Sequence, residues 1–167
     1  DLSKYVPEKE GYDFTGWYTD ADCKNKAADQ IELKSNTTLY AGWKVQDRTL
    51  TFNTNGGTEV APVTVNYGSE IDLSKYVPTR EGYDFTGWYT DADCKNKAEN
   101  SIVLKVDTPL YAGWKVQQRT LSFNTNGGSE VSPITENYGS EIDLSRYVPT
   151  REGYDFTGWY TDKDCKN

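Results

Sequence analysis

The feature that most constrains this chain is a passage that occurs three times. It begins at Asp1, Asp72 and Asp143, as DLSKYVPEKEGYDFTGWYTDADCKN and two close variants, so the interval is 71 residues both times. Such a unit is longer than a solenoid repeat, which usually spans about 20–50 residues, and it suits a small domain with its own core. Repetition of this kind adds length or valency more readily than it creates a catalytic centre.

Two short polar segments indicate where one repeat ends and the next begins. Residues 44–48 and 115–119 are rich in charged and amide side chains and carry one bulky apolar residue each, a valine, as domain linkers often do. This frame predicts three parts: the C-terminal portion of a repeat (1–47), a complete repeat (48–118) and the N-terminal portion of a repeat (119–167). A chain that starts within a repeat is expected to be a piece of a longer protein, so its targeting cannot be read from this sequence.

The complete repeat opens with a predicted hairpin. Leu50 and Phe52 alternate with polar residues in the segment 48–53, and the segment 63–67 alternates in the same way, as half-buried strands do. Between them, Asn55-Gly56-Gly57 is a turn signal, because asparagine and glycine tolerate positive φ. The two segments are therefore predicted to pair.

A short helix is predicted next. Asp72 is placed to cap it, Leu73, Tyr76 and Val77 have helical spacing, and Pro78 ends it. With only about two turns, this helix would depend on packing against a sheet.

The remaining segments are predicted strands. Residues 82–89 form one strand, residues 102–104 a short apolar segment, and residues 108–116 the last strand. The order strand, strand, short helix, strand, strand predicts an α+β fold of tandem, small β-grasp-like domains.

The net charge of −8 restricts the partners. Mild acidity favours solubility and argues against nucleic acid or an anionic membrane surface as a partner. No stretch of about 18 apolar residues is present, so membrane insertion is not expected either.

No catalytic, cofactor-binding or metal-binding residues are predicted. The absence of histidine removes histidine-based triads and metal sites. Asp91-Ala-Asp93 begins like a calcium loop, but Lys95 stands where an oxygen ligand is needed, so a solvated turn is favoured. Glu81 and Asp84 are interpreted as surface charges with no partner implied.

Each copy of the passage contains one cysteine: Cys23, Cys94 and Cys165. One cysteine cannot form a disulfide within its own repeat. The favoured interpretation is a free thiol in a polar turn, and the alternative is an intermolecular thiol that cross-links neighbouring molecules.

Aromatic residues make up 14% of the chain, and two of them are candidate ligand contacts. If the strand 82–89 alternates strictly, Trp88 and Tyr111 lie opposite the core face, where they could anchor a sugar or a protein. If Gly87 forms a bulge, the parity changes and Trp88 turns inward. Packing in the core is the favoured interpretation, and the sequence leaves both open.

Five blocks of residues, in order, resemble the Listeria–Bacteroides repeat, also called the internalin B type B-repeat. They are Phe-Asn-Thr-Asn-Gly-Gly (52–57), Val-Asn-Tyr-Gly (65–68), Pro78, Gly-Tyr-Asp-Phe-Thr-Gly-Trp-Tyr (82–89) and Leu-Tyr-Ala-Gly-Trp (110–114). The resemblance implies a β-grasp-like fold in large secreted or cell-wall-attached bacterial proteins, with no catalytic residues to transfer. The cysteine is not part of that pattern.

Two functions are compatible with these observations. The leading hypothesis is a non-catalytic stalk or spacer in an extracellular surface adhesin, whose partners are the neighbouring repeats. The alternative is a multivalent module that binds a host protein or a glycan through exposed aromatic side chains. Because the two end portions lack complementary parts of a repeat, end-to-end association with other copies of the chain is also predicted.

Overall fold

The computed structural model describes residues 1–167, which divide into two compact units. One unit comprises Asp1–Pro78 with Phe85–Gly113, and the other comprises Thr79–Asp84 with Trp114–Asn167. Ten strands are present: β1 (Tyr12–Tyr18), β2 (Tyr40–Val45), β3 (Asp47–Asn53), β4 (Val63–Asn66), β5 (Ser69–Asp72), β6 (Tyr83–Tyr89), β7 (Ser101–Leu104), β8 (Thr108–Val116), β9 (Gln118–Leu121) and β10 (Ile134–Asn137).

The complete repeat is built on a four-stranded sheet in the order β4-β3-β8-β6. The first half of β3 pairs antiparallel with β4, where Leu50 lies opposite Val63. The second half of β3 pairs parallel with β8, where Phe52 lies opposite Leu110. The predicted hairpin and the last strand are thereby confirmed. The structure adds a parallel pairing that joins the two ends of the repeat.

The loop between β3 and β4 begins with the predicted turn, and this turn follows the expected chemistry. Asn55 has φ +48° and Gly56 has φ +89°. The Gly57 amide donates to the Thr54 carbonyl at 3.0 Å, which closes a four-residue turn. Asparagine and glycine adopt this left-handed conformation at a lower steric cost than other residues, so the pair Asn-Gly suits two successive positions with positive φ.

The predicted helix is wrong. Asp72 does cap as expected, since its carboxylate accepts the Ser74 amide at 3.0 Å, but only a single 3-10 turn follows, Leu73–Lys75. The backbone leaves the helical region at Tyr76 (φ −118°, ψ 86°). Five residues between the cap and Pro78 are too few to offset the cost of helix nucleation.

The α+β, β-grasp-like assignment is therefore corrected to a nearly all-β fold, because the three helical segments are 3-10 turns of three residues each. Residues expected to lead into the helix instead form β5, which pairs antiparallel with β7 in a separate two-stranded sheet. In this pairing Ile71 lies opposite Ile102. In this second sheet, β5 directly precedes the 3-10 turn that stands where the helix was predicted.

The core of the complete repeat lies between these two sheets. The side chains of Leu50, Leu104 and Leu110 have no exposed surface. Four more side chains are almost fully buried: Ile71, Leu73, Trp88 and Ala112. Trp88 packs on Phe52, with ring centroids 4.7 Å apart, and Phe52 also stacks on Tyr76 at 5.1 Å. Large rings allow so small a unit to remove enough apolar surface from water.

The two end portions keep parts of this arrangement. In residues 1–47, β1 and β2 pair antiparallel with a register shift between Phe14 and Gly16. In residues 119–167, β9 and β10 form the counterpart of the β3–β4 hairpin, with Leu121 opposite Ile134. No helix of the structure has both the length and the apolar character needed to cross a bilayer.

Candidate functional site

Trp88, the first candidate ligand contact, lies in the core. Its side chain is 4% exposed, and its indole Nε1 donates to the Tyr76 carbonyl at 2.7 Å. Gly87 has φ +130°, a backbone conformation that residues with a side chain rarely adopt. The corresponding glycine of the first portion, Gly16, lies at the register shift of β1, which marks a bulge. The bulge therefore turns the indole inward, and little of its surface is left for a ligand.

Tyr111, the second candidate, lies on β8 and is half-buried. Its backbone is opposite Asn53 in the parallel pairing with β3. As a contact for a host protein or a glycan, it stays a prediction.

The three cysteines occupy the same turn in each copy, and all three are free. Each has a positive φ, between 50° and 53°. Burial raises the pKa of the Cys94 thiol, and the charges of Asp91 and Asp93 raise it further. A raised pKa lowers the fraction of reactive thiolate. Cross-linking between molecules stays a prediction.

The loop that begins like a calcium site is closed by its first carboxylate. Asp91 accepts the backbone amides of Lys95 at 2.9 Å and of Asn96 at 2.7 Å. These two hydrogen bonds lower the pKa of Asp91 below its ordinary value. The carboxylate that would lead a calcium loop therefore serves as the cap of a turn.

The most extensive polar arrangement lies at the junctions between repeats. At the first junction, β2 ends at Val45 and β3 begins at Asp47, so Gln46 alone connects the two strands. The Gln46 amide donates to the Gly11 carbonyl at 2.8 Å, and the Gln46 carbonyl accepts the Tyr67 amide at 2.8 Å. One connecting residue is thus bonded to the preceding repeat and to the following one.

Side chains reinforce this backbone connection. The Gln46 amide nitrogen Nε2 donates to Asp13 Oδ1 at 2.6 Å, and Arg48 donates to Gln46 Oε1. The Tyr67 hydroxyl donates to Glu10, and the Arg48 guanidinium lies 5.6 Å from the centroid of the Tyr67 ring. The hydrogen bond to Glu10 raises the pKa of the Tyr67 hydroxyl, with smaller contributions from burial and from the Glu10 charge.

The second junction repeats the same pattern around Gln117. Its amide donates to the Gly82 carbonyl at 2.8 Å, and its carbonyl accepts the Tyr138 amide at 2.7 Å. Its Nε2 donates to Asp84 Oδ1 at 2.6 Å, and Arg119 donates to its Oε1 at 2.5 Å. Because the same hydrogen bonds occur at both junctions, they are a recurring feature of the repeat rather than a chance contact.

Glu81 and Asp84 therefore have partners that the sequence did not reveal. Glu81 Oε1 accepts the Tyr138 hydroxyl at 2.8 Å, and this bond raises the pKa of Tyr138. The sequence does carry a signal for these partners, in the comparison of one repeat with the next. Glutamine stands at the same place in both linkers, and Tyr-Gly follows 21 residues after each glutamine.

Three segments of the chain match the Listeria–Bacteroides repeat domain: residues 2–42, 49–113 and 120–167. The chain belongs to the Listeria–Bacteroides repeat family. The resemblance carried by the five blocks is thus confirmed. The matched segments leave out residues 43–48 and 114–119, which contain Gln46 and Gln117.

Several curated proteins contain segments similar to this chain. Internalin H of Listeria monocytogenes is 40% identical over 137 residues, which are 80% of this chain and 24% of that protein. A putative membrane protein of Evansella cellulosilytica is 41% identical over 161 residues, or 94% of this chain and 24% of that protein. A putative Gly-rich membrane protein of the same organism is 38% identical over 160 residues, or 94% of this chain and 18% of that protein.

The chain thus spans about a quarter or less of the length of these relatives. No solved structure matches it closely. The chain is therefore a repeat segment similar to segments of internalin H and of two proteins named as putative membrane proteins.

Proposed function

We propose that this segment is a non-catalytic spacer in a bacterial surface adhesin, in which each repeat holds the next at a fixed separation. The observation that supports this proposal is the one-residue connection. Gln46 and Gln117 are each hydrogen-bonded through the backbone to the repeat before and to the repeat after.

A connection of this kind differs physically from a flexible linker. A flexible linker leaves the φ and ψ angles of its residues free, and its end-to-end distance grows only with about the square root of its length. Here the connecting residue lies between two strands and its side chain is bonded as well. The repeats are therefore expected to add length in proportion to their number.

An extracellular position is part of the proposal. Its support is that similar repeats occur in internalin H and in two proteins described as putative membrane proteins. The alternative, a multivalent binding module, has less support because the indole of Trp88, its main candidate contact, is packed against Phe52 and Phe85.

The spacer function can be tested by changing the number of repeats on a cell surface. The segment would be displayed with an epitope tag at its distal end, and copies of residues 48–118 would be added. We expect antibody access to the tag to rise with each added repeat. The matched control is a Gly/Ser linker of equal residue number, which should give a smaller gain. Access that is unchanged by added repeats, or equal to that with the flexible linker, would contradict the proposal.

A second measurement examines the connection directly. Backbone order parameters of Gln46 and Gln117 from ¹⁵N relaxation should equal those of the strands, at about 0.85. Values below about 0.6 would indicate a flexible hinge. A hinge of that kind is incompatible with a fixed separation.

A further inference from the structure

The structure contains a second interaction at the junctions, between a glycine of one repeat and a tyrosine ring of the next. Gly82 has φ +77°, and a Cβ placed on it would lie 2.0 Å from Cδ1 of Tyr138. Gly11 has φ +76°, and a Cβ there would lie 2.2 Å from Cδ1 of Tyr67. The ring of each tyrosine therefore lies directly against the glycine backbone, where no side chain fits.

Polar groups surround this contact and orient the ring. The Tyr138 hydroxyl donates to Glu81, the neighbour of the glycine, and the Arg119 guanidinium lies 5.7 Å from the centroid of the ring. Gln117 is bonded to Asp84, two residues beyond the glycine. The segment Glu-Gly-Tyr-Asp thus presents a small surface with an apolar slot at the glycine and an acidic group on each side.

The third copy of this segment shows what the surface looks like without a following hairpin. Residues 152–155 have the same sequence, Glu-Gly-Tyr-Asp, and Gly153 has φ +76°. No atom lies within 4 Å of a Cβ placed on Gly153, and the residue is exposed, whereas Gly11 and Gly82 are buried. The conformation of the glycine is therefore local, and its burial depends on the next repeat.

We infer that the Glu-Gly-Tyr-Asp segment is a recognition surface for the hairpin of a following repeat, and that this contact couples the stabilities of adjacent repeats. The partner is defined by its chemistry: a tyrosine for the slot and an arginine beside it, as in Arg48 with Tyr67 and Arg119 with Tyr138. This goes beyond a spacer, because repeats held at a fixed separation can still fold independently of one another.

A double-mutant cycle tests the coupling in the full chain. The variants are Gly82→Ala, Tyr138→Ala and the double variant, and the readout is the unfolding equilibrium constant in denaturant. Tyr138→Ala opens the space that a Cβ at position 82 needs. We therefore expect Gly82→Ala to be more destabilising alone than in the Tyr138→Ala background, by a factor of about ten, within the range of couplings measured for residues in contact.

The matched control is Gly68→Ala in the same repeat. Gly68 has φ +79°, close to that of Gly82, but no atom lies within 4 Å of a Cβ placed there. The change in unfolding free energy on Gly68→Ala therefore measures backbone strain alone. The effects of Gly68→Ala and Tyr138→Ala on this free energy should be additive. Should Gly82→Ala prevent folding, Tyr138→Phe keeps the ring and removes only the bond to Glu81. Hydrogen exchange should then rise in residues 79–84 as well as in the hairpin 118–138.

The outcomes separate this inference from the spacer function. If Gly82→Ala costs the same as Gly68→Ala in both backgrounds, or if exchange with Tyr138→Phe rises only in the hairpin, the repeats are not coupled and the inference fails. The spacer function survives that result as long as Gln117 remains rigid. Mobility of Gln117 in the unchanged chain would instead remove the spacer function.

Discussion

Residues 72–96 and 143–167 have nearly the same sequence but differ in structure. They differ only at Lys75, which is Arg146 in the later copy, and at Ala92, which is Lys163. In the earlier copy residues Tyr83–Tyr89 form β6 and Leu73 is 5% exposed. In the later copy the matching residues form no strand, and Leu144 is 42% exposed.

The cause of this difference is a strand that is distant in sequence. In the complete repeat, β8 lies between β3 and β6 in the sheet and contributes Leu110 and Ala112 to the core. Residues 119–167 contain no counterpart of β8. A groove of about 530 Å³ lies in its place, lined by Leu121, Phe123, Leu144, Phe156 and Trp159 among others.

What the two copies share is equally informative. Asp143 caps a 3-10 turn as Asp72 does, and the φ of Gly158, +135°, is close to the +130° of Gly87. Trp159 also donates its Nε1 to the carbonyl of Tyr147 at 2.7 Å, as Trp88 does to Tyr76. Turns and caps therefore form from local sequence, whereas the strand and the burial require β8.

The largest difference between the two copies is expected in the loss of stability when tryptophan is replaced by alanine. Trp88→Ala should destabilise the complete repeat by about 3–5 kcal/mol, because it leaves a cavity between Phe52 and Phe85. Trp159→Ala should cost much less, since that indole is only half-buried. Hydrogen exchange resolved by repeat measures both. Equal costs would show that the groove is already closed in solution.

A smaller difference in the loss of stability is expected when leucine is replaced by alanine. Leu73→Ala should cost about 2–5 kcal/mol, whereas Leu144→Ala should cost under about 1 kcal/mol because its side chain is already exposed to solvent. Denaturant unfolding of the two variants provides the comparison. A large cost at Leu144 would mean that this side chain is covered in solution.

A single hydrogen bond distinguishes two asparagines. Asn55 Nδ2 donates to the Ala112 carbonyl of β8 at 2.8 Å, whereas Nδ2 of the corresponding Asn126 contacts only Cys165 Sγ, at 3.9 Å. Both have positive φ, at 48° and 49°, so alanine introduces similar strain at each. The excess cost of Asn55→Ala over Asn126→Ala should be about 1 kcal/mol. No excess in the unfolding free energy would show that the bond to β8 adds nothing.

No difference is expected in the pH dependence of the loop carboxylates. Backbone amides lower the pKa of Asp91 and of Asp162 alike. A lowered folded-state pKa stabilises the loop above the unfolded pKa of about 3.9, and this contribution is lost as the pH falls through the lower, folded value. Carboxylate titration by NMR should therefore give lowered pKa values at both positions. An ordinary value at Asp162 alone would show that the loop, too, depends on β8.

The functional features divide in a similar way. The passage repeated at intervals of 71 residues, the family and the strand segments of the complete repeat could be inferred from sequence. The roles of Glu81 and Asp84 could not, because their partners Tyr138 and Gln117 lie 57 and 33 residues further along the chain. Surface carboxylates with such remote partners look the same in sequence as solvated ones.

The sequence by itself determined what depends on neighbouring residues: the repeat, the Asn55-Gly56 turn, the cap at Asp72 and the alternation of β3. Only the tertiary structure decided that β5 forms and that a 3-10 turn replaces the predicted helix. It also decided that the Trp88 indole turns inward and that the Tyr138 ring packs on Gly82. The physical reason is that these outcomes depend on hydrogen-bond partners and packing surfaces supplied by distant segments, above all β7, β8 and the hairpin of the following repeat.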